Sequence, residues 1–177
     1  SSPTQIPGTN WVTDEDKVKR NNNYGSAWLK TDGTLWVWGL DASGSLGQNS
    51  EVDYSSPTQV PGTTWAGPTA VDLSGNTYAT KTDGTMWAWG RNNDGQLGQN
   101  NRTTYSSPVQ VGSDTTWPTD IGTSDGVVKL STGDKNLYAI KTDNTLWVWG
   151  NNGEGQLGLN HKNRRSSPTQ LPGEWRY

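Results

Sequence analysis

The sequence predicts an all-β fold built from repeated four-stranded units, and three observations predict it. The chain repeats: Ser1-Ser2-Pro3-Thr4-Gln5 returns from Ser55, Ser106 and Ser166, at spacings of 54, 51 and 60 residues. Inside a repeat the apolar residues alternate with period two, as in Thr85-Met86-Trp87-Ala88-Trp89-Gly90, which is the pattern of a half-buried strand. Turn-forming pairs punctuate these runs, Asp83-Gly84 being a strong hairpin signal. No stretch carries a helical stripe. Repetition at this period marks stacked or radial architectures.

The elements follow in order along one repeat. A tryptophan comes soon after each Ser-Ser-Pro block, as Trp11, Trp65, Trp117 and Trp175. A short strand is expected at Ala70 to Leu73, turning at Ser74-Gly75-Asn76. Next comes a hairpin, Tyr78 to Lys81 against Thr85 to Gly90; in the third copy Asp143-Asn144 replaces Asp-Gly, and Asn also tolerates positive φ. Each Trp-x-Trp-Gly is followed at a constant distance by Gly-x-Leu-Gly, whose glycines suit tight turns and whose leucine is a natural plug between sheets. The residues after Ser-Ser-Pro, such as Val109 to Val111, read as the last strand. The proline lacks a ladder donor and suits an edge strand or a strand start.

Four-stranded repeats stacked radially make a β-propeller. Repeat bodies are expected at about 11–54, 65–105 and 117–165, joined by linking strands at 1–8, 55–62, 106–112 and 166–173, within one propeller segment, 1–177. The expected core is Trp36, Trp38, Leu46, Trp87, Trp89, Leu97, Trp147, Trp149 and Leu157. Leu, Ile and Val are scarce and Phe is absent, so the 11 Trp and 6 Tyr must supply the missing apolar mass. Indoles of successive copies are expected to wedge adjoining sheets together. Trp28 stands where the other copies have Ala79 and Ala139, and Ala27 where they have Tyr78 and Tyr138. This reciprocal exchange of size suggests local repacking.

Composition excludes several classes. With no Cys there are no disulfides or thiolate metal sites, and His161 alone cannot form a multi-histidine centre. A net charge of −3 argues against a dedicated nucleic-acid binder. No apolar run approaches the ~18 residues of a membrane span. Asn92-Asn93-Asp94-Gly95 looks superficially like a calcium loop but lacks the alternating carboxylates and closing glutamate, and reads as a turn. No catalytic signature appears, so neither an enzyme nor a cofactor is expected.

Lys30-Thr31-Asp32-Gly33-Thr34-Leu35-Trp36-Val37-Trp38-Gly39 and its copies, followed by Gly-Gln-Leu-Gly and Ser-Ser-Pro-Thr-Gln, closely resemble the regulator-of-chromosome-condensation repeat, in a bacterial or phage-like form. The resemblance implies propeller blades, commonly about seven per ring. Three bodies do not close such a ring. Two expectations follow: a stretch of a longer polypeptide, or several chains sharing blades.

Variation between copies locates the candidate binding loops. The segment before Ser-Ser-Pro reads Glu51-Val52-Asp53-Tyr54, then Arg102-Thr103-Thr104-Tyr105, then His161-Lys162-Asn163-Arg164-Arg165. The candidate residues are Glu51, Asp53, Tyr54, Arg102, Tyr105, His161, Lys162, Arg164 and Arg165. An acidic first loop and a basic last loop could dock a partner, or another subunit, by charge complementarity. The expected function is a non-catalytic binding scaffold, with a phage virion appendage or tail-associated protein as its specific form and an extracellular or virion-surface location. A carbohydrate-binding propeller that stacks sugars on tryptophan is the first alternative, and a secreted protein-inhibitor propeller the second.

Overall fold

The computed structural model describes the chain apart from residues 1, 3, 14–17, 21–24, 72–74, 120–129, 134, 174, 176 and 177. It contains three four-stranded antiparallel sheets. The first holds β1 (Val18–Arg20), β2 (Gly25–Leu29), β3 (Leu35–Gly39) and β4 (Tyr54–Gln59). The second holds β5 (Trp65–Val71), β6 (Asn76–Lys81), β7 (Met86–Gly90) and β8 (Tyr105–Gln110). The third holds β9 (Leu130–Thr132), β10 (Asn136–Ile140), β11 (Leu146–Gly150) and β12 (Arg165–Leu171). Within each sheet the spatial order is the chain order, so every blade is a plain meander. No α-helix occurs among the described residues.

The central hairpins form where the Asp-Gly signals lie. Asp32, Asp83 and Asp143 each accept the backbone N–H and the hydroxyl of the threonine two residues on. That hydroxyl in turn accepts the indole N–H of Trp36, Trp87 or Trp147. Gly33 and Gly84 occupy the left-handed region at φ 77 and 80, and Asn144 does so at φ 64, so the Asp-Asn copy keeps the turn.

The fourth strand begins before the proline, at Tyr54, Tyr105 or Arg165, not after it. It lies at the sheet edge. There Pro57 falls within a break in the ladder between the pairs Val37↔Thr58 and Gly39↔Tyr54. An edge position with a bulge is where a missing N–H is tolerated.

Blades pack through unlike faces. Ala27, Leu29, Leu35, Val37, Leu46 and Val60 of the first blade meet Trp65, Ala79 and Trp89 of the second. Tyr78, Met86, Ala88, Leu97 and Val111 of the second meet Trp117, Leu130, Leu137, Ala139 and Trp149 of the third. Indoles do lie at the joints, Trp65 and Trp89 in the first core and Trp117 and Trp149 in the second. Indoles touch indoles inside a blade, as Trp65 with Trp87 and Trp89 at 6.1 and 6.0 Å, and they meet aliphatic side chains across a joint. A buried Trp removes ~150–250 Å² from water. At ~25 cal/mol/Å² that is several kcal/mol per indole, enough for it to replace the scarce aliphatic core.

Of the expected core residues, Trp89, Trp149, Leu46, Leu97 and Leu157 are buried, whereas Trp36, Trp38, Trp87 and Trp147 are half-buried. The repacking expected at Trp28 is not what forms. Ala27 pairs with Val37 on the face toward the second blade, while Trp28 pairs with Trp36 on the opposite face. Side chains of neighbouring residues in a strand point to opposite faces, so Trp28 cannot fill the volume Ala27 leaves.

Candidate functional site

The candidate loops are positioned by a buried side chain shortly after each Trp-x-Trp-Gly. Asp41, Asn92 and Asn152 accept the backbone N–H of Leu46, Leu97 and Leu157 at 2.9, 3.0 and 2.9 Å. Each loop is thereby tied to its buried leucine. The amides of Asn92 and Asn152 also donate outward, to the carbonyls of Asn101 and Thr103 and of His161 and Asn163. These bonds fix the backbone that carries the variable side chains. Asp41 has no amide to offer, and its Oδ2 is buried without a partner. Burial raises its carboxyl above the ordinary carboxylate range, and repulsion from Glu51 and Asp53 adds to this despite hydrogen bonds from Leu46 and Ser45.

The register places Tyr54, Tyr105 and Arg165 identically, opposite Gly39, Gly90 and Gly150. Tyr54 and Tyr105 are half-buried against the two joint cores. The Tyr105 hydroxyl accepts from the Asn101 amide at 3.0 Å. Glu51, Arg102 and Lys162 are exposed. Asp53 is also exposed and accepts the Asp41 N–H at 2.8 Å.

The last loop is internally committed. Arg164 reaches Asp94 of the second blade at 3.2 Å; its own side chain is half exposed and that of Asp94 is 8% exposed. Arg165 lies 2.8 Å from Nε2 of His161, which serves as the acceptor. Lys162 approaches Glu154 at 3.8 Å, but both are strongly exposed and such a pair contributes little. The structure thus pairs Arg164 with Asp94 and Arg165 with His161, and leaves Glu51, Arg102 and Lys162 exposed.

One repeated feature escaped sequence reasoning. Lys30, Lys81 and Lys141 each hold their ammonium over two indoles, 4.0, 4.4 and 3.9 Å from Trp36, Trp87 and Trp147, and within 5.0 Å of Trp11, Trp65 and Trp117. The signal was the lysine that opens every Lys-Thr-Asp. Lys141 is buried and also pairs with Asp114 at 2.7 Å. These are packing roles, each worth ~0.5–2 kcal/mol.

Among the described residues no group of three His, Cys, Asp or Glu could hold a metal. Trp65, Trp89, Trp117 and Trp149 are fully buried and have no face to offer a sugar.

The profile of the regulator of chromosome condensation (RCC1) repeat matches residues 32–71, 83–140 and 143–175, and a second profile of the same description matches 127–156. The ultraviolet-B receptor UVR8 of Arabidopsis thaliana is 30% identical over 77% of this chain and 29% of its own length. The crystal structure of Prp20p from Saccharomyces cerevisiae superposes with a TM-score of 0.70 at 15% identity, over 89% of this chain and 39% of that one. The structure of Kap60 bound to yeast RCC1 (Prp20) gives 0.63 at 18% identity, over 86% and 36%. The chain therefore spans well under half the length of these relatives.

Proposed function

The chain belongs to the RCC1 repeat family, and from that premise we propose that it is a non-catalytic scaffold whose blades present a rim of variable loops to a protein partner. One observation carries the reading. Three loops share a buried anchor and backbone yet differ at the exposed positions, which are Glu51 in one, Arg102 in the next and Lys162 in the third. Packing accounts for what recurs but not for what changes, and binding residues concentrate on loops held by a stiff scaffold. Prp20p is described by its binding to Gsp1p and histones, and a second structure is of Kap60 bound to it, which supports a protein as the class of partner.

The test uses the exposed charges only. Replacing Arg164 and Arg165 by Glu would open the contact with Asp94 and the pair with His161, so it would confuse docking with folding. The informative variant combines Glu51→Lys, Arg102→Glu and Lys162→Glu. A protein captured by the native chain from extracts of its source is purified and titrated against both forms. Affinity should fall about tenfold or more, with a salt dependence that disappears in the variant, while the circular dichroism and melting temperature stay unchanged. Undiminished affinity would remove the rim from consideration.

A further inference from the structure

The lysine that opens each Lys-Thr-Asp hairpin meets a different neighbour in the third blade than in the first two. Hydrogen bonds fix the alignment. The N–H groups of Thr31, Thr82 and Thr142 donate to the carbonyls of Asn10, Thr64 and Thr116, each one residue before a tryptophan. Two residues before those carbonyls stand Gly8, Gly62 and Asp114, which therefore share one position. The third copy reaches it with one residue more, Val111 to Asp114 against Val60 to Gly62, and turns at Gly112 with φ 63.

In the third blade Asp114 pairs with Nζ of Lys141 at 2.7 Å, and that lysine side chain is 5% exposed. In the first and second blades a Cβ on Gly8 or Gly62 would lie 3.4 or 3.7 Å from Nζ of Lys30 or Lys81. The glycine thus faces the ammonium at the position from which Asp114 extends its carboxylate, and has no side chain to extend. Lys30 and Lys81 stand over their two indoles, and among the described residues neither ammonium makes an ion pair or a hydrogen bond. An indole face attracts an ammonium but is a poor substitute for an oxygen acceptor, so three N–H donors remain to be satisfied. Asp32, Asp83 and Asp143 follow their lysines identically in all three blades and bond their threonines, so they do not account for the difference. Residues 7–10 and 61–64 are exposed and both lysines are half-buried. Lys81 belongs to the middle blade, which has a blade on either side, so its opening does not come from where the chain ends.

We propose that Lys30 and Lys81, each on its pair of indoles, bind carboxylates from an acidic segment of a protein partner, and that Asp114 occupies the same site at Lys141 from within. The contact is a charge-assisted hydrogen bond of the kind Asp114 already makes. It lies on the hairpin rim, at the opposite end of β3 and β7 from the variable loops, and does not rest on them.

Indole N–H signals in heteronuclear NMR spectra of the 177-residue chain, assigned by single Trp→Phe variants, read each site separately. Octaglutamate is titrated at low salt, with octaglutamine as the control. The signals of Trp36 and Trp87 should shift to saturation with octaglutamate, and the effect should fade as salt is raised. The signal of Trp147 should stay in place, because Asp114 holds Lys141. Lys81→Gln should weaken the Trp87 response about tenfold or more, and Lys81→Arg should restore it. Asp114→Asn should make Trp147 respond. Gly62→Asp alone would strain a backbone at φ 98, so the third copy's turn, Gly-Ser-Asp, replaces Pro61 and Gly62 together; this should silence Trp87 and leave Trp36 responding. Unmoved signals of the buried Trp89 and Trp149 verify that each variant keeps its fold. No response to octaglutamate, an equal response to octaglutamine, a native Trp147 that responds like the others, or an Asp114→Asn chain and a turn exchange that both leave the pattern unchanged overturns the proposal.

Discussion

A single functional group separates Asp41 from Asn92 and Asn152, and it changes the electrostatics of the first loop. The asparagine amides supply donors to loop carbonyls. The Asp41 carboxylate supplies none, and one of its oxygens is buried unpaired. Asp41→Asn should therefore stabilise the chain by about 1–3 kcal/mol near neutral pH, the range for an unsatisfied buried polar group. The pH dependence has a definite sign. Because the folded pKa of Asp41 is raised above the ordinary 3.8, its contribution is complete below that value and is lost as pH rises through the raised one. The advantage of the Asn variant should widen over that window and then level off. Asp32, Asp83 and Asp143 act oppositely. The threonine hydroxyl and N–H lower their pKa values, so their contribution is present above 3.8 and disappears as pH falls through the lowered values. Urea titrations of both proteins across the acid-to-neutral range measure this. Equal stability near neutrality would mean that the buried carboxylate is satisfied after all.

The loop that follows each Trp-x-Trp-Gly is the element that joins blades, and its glycines separate backbone strain from packing. Gly44, Gly95 and Gly155 have φ of 75, 83 and 79. Alanine at any of them should cost ~1–2 kcal/mol for the left-handed backbone. At Gly44 and Gly95 the new Cβ would also strike the neighbouring blade's serine, adding ~1–3 kcal/mol of overpacking. Urea midpoints of the three single variants should place Gly155→Ala closest to the native chain; similar losses at all three would deny the joint its role. These glycines also mark how far the sequence could be read. The hairpins were legible because Asp-Gly, alternation and chain proximity are local signals, and the Asp143-Asn144 copy obeyed the same rule. What a side chain meets across a joint is not local. Trp38, Trp89 and Trp149 occupy the same place in the same motif, yet only the latter two are buried, because a preceding blade covers them. Trp28 was misjudged for a related reason, since size exchange between neighbours was weighed without asking which face each one takes. Arg164 and Arg165 read as a free basic pair because nothing nearby in the sequence reveals Asp94 beneath one of them.

Stacked blades behave as a nearly one-dimensional array, in which stability is a sum of unit and nearest-neighbour terms. The two hydrophobic cores each join consecutive blades, and the middle blade contributes to both. Its burial reflects this: β6 is buried from Asn76 to Thr80, whereas β2 and β10 alternate between buried and half-buried. Opening an end blade breaks one joint, while opening the middle blade breaks two. Amide hydrogen exchange of the dilute chain should therefore be slowest in β6 and β7 and faster in β2, β3, β10 and β11, by about tenfold for each ~1.4 kcal/mol that a joint contributes. Equal protection in all three sheets at low concentration would show that the chain opens as one cooperative unit, with the blade joints too strong to yield separately.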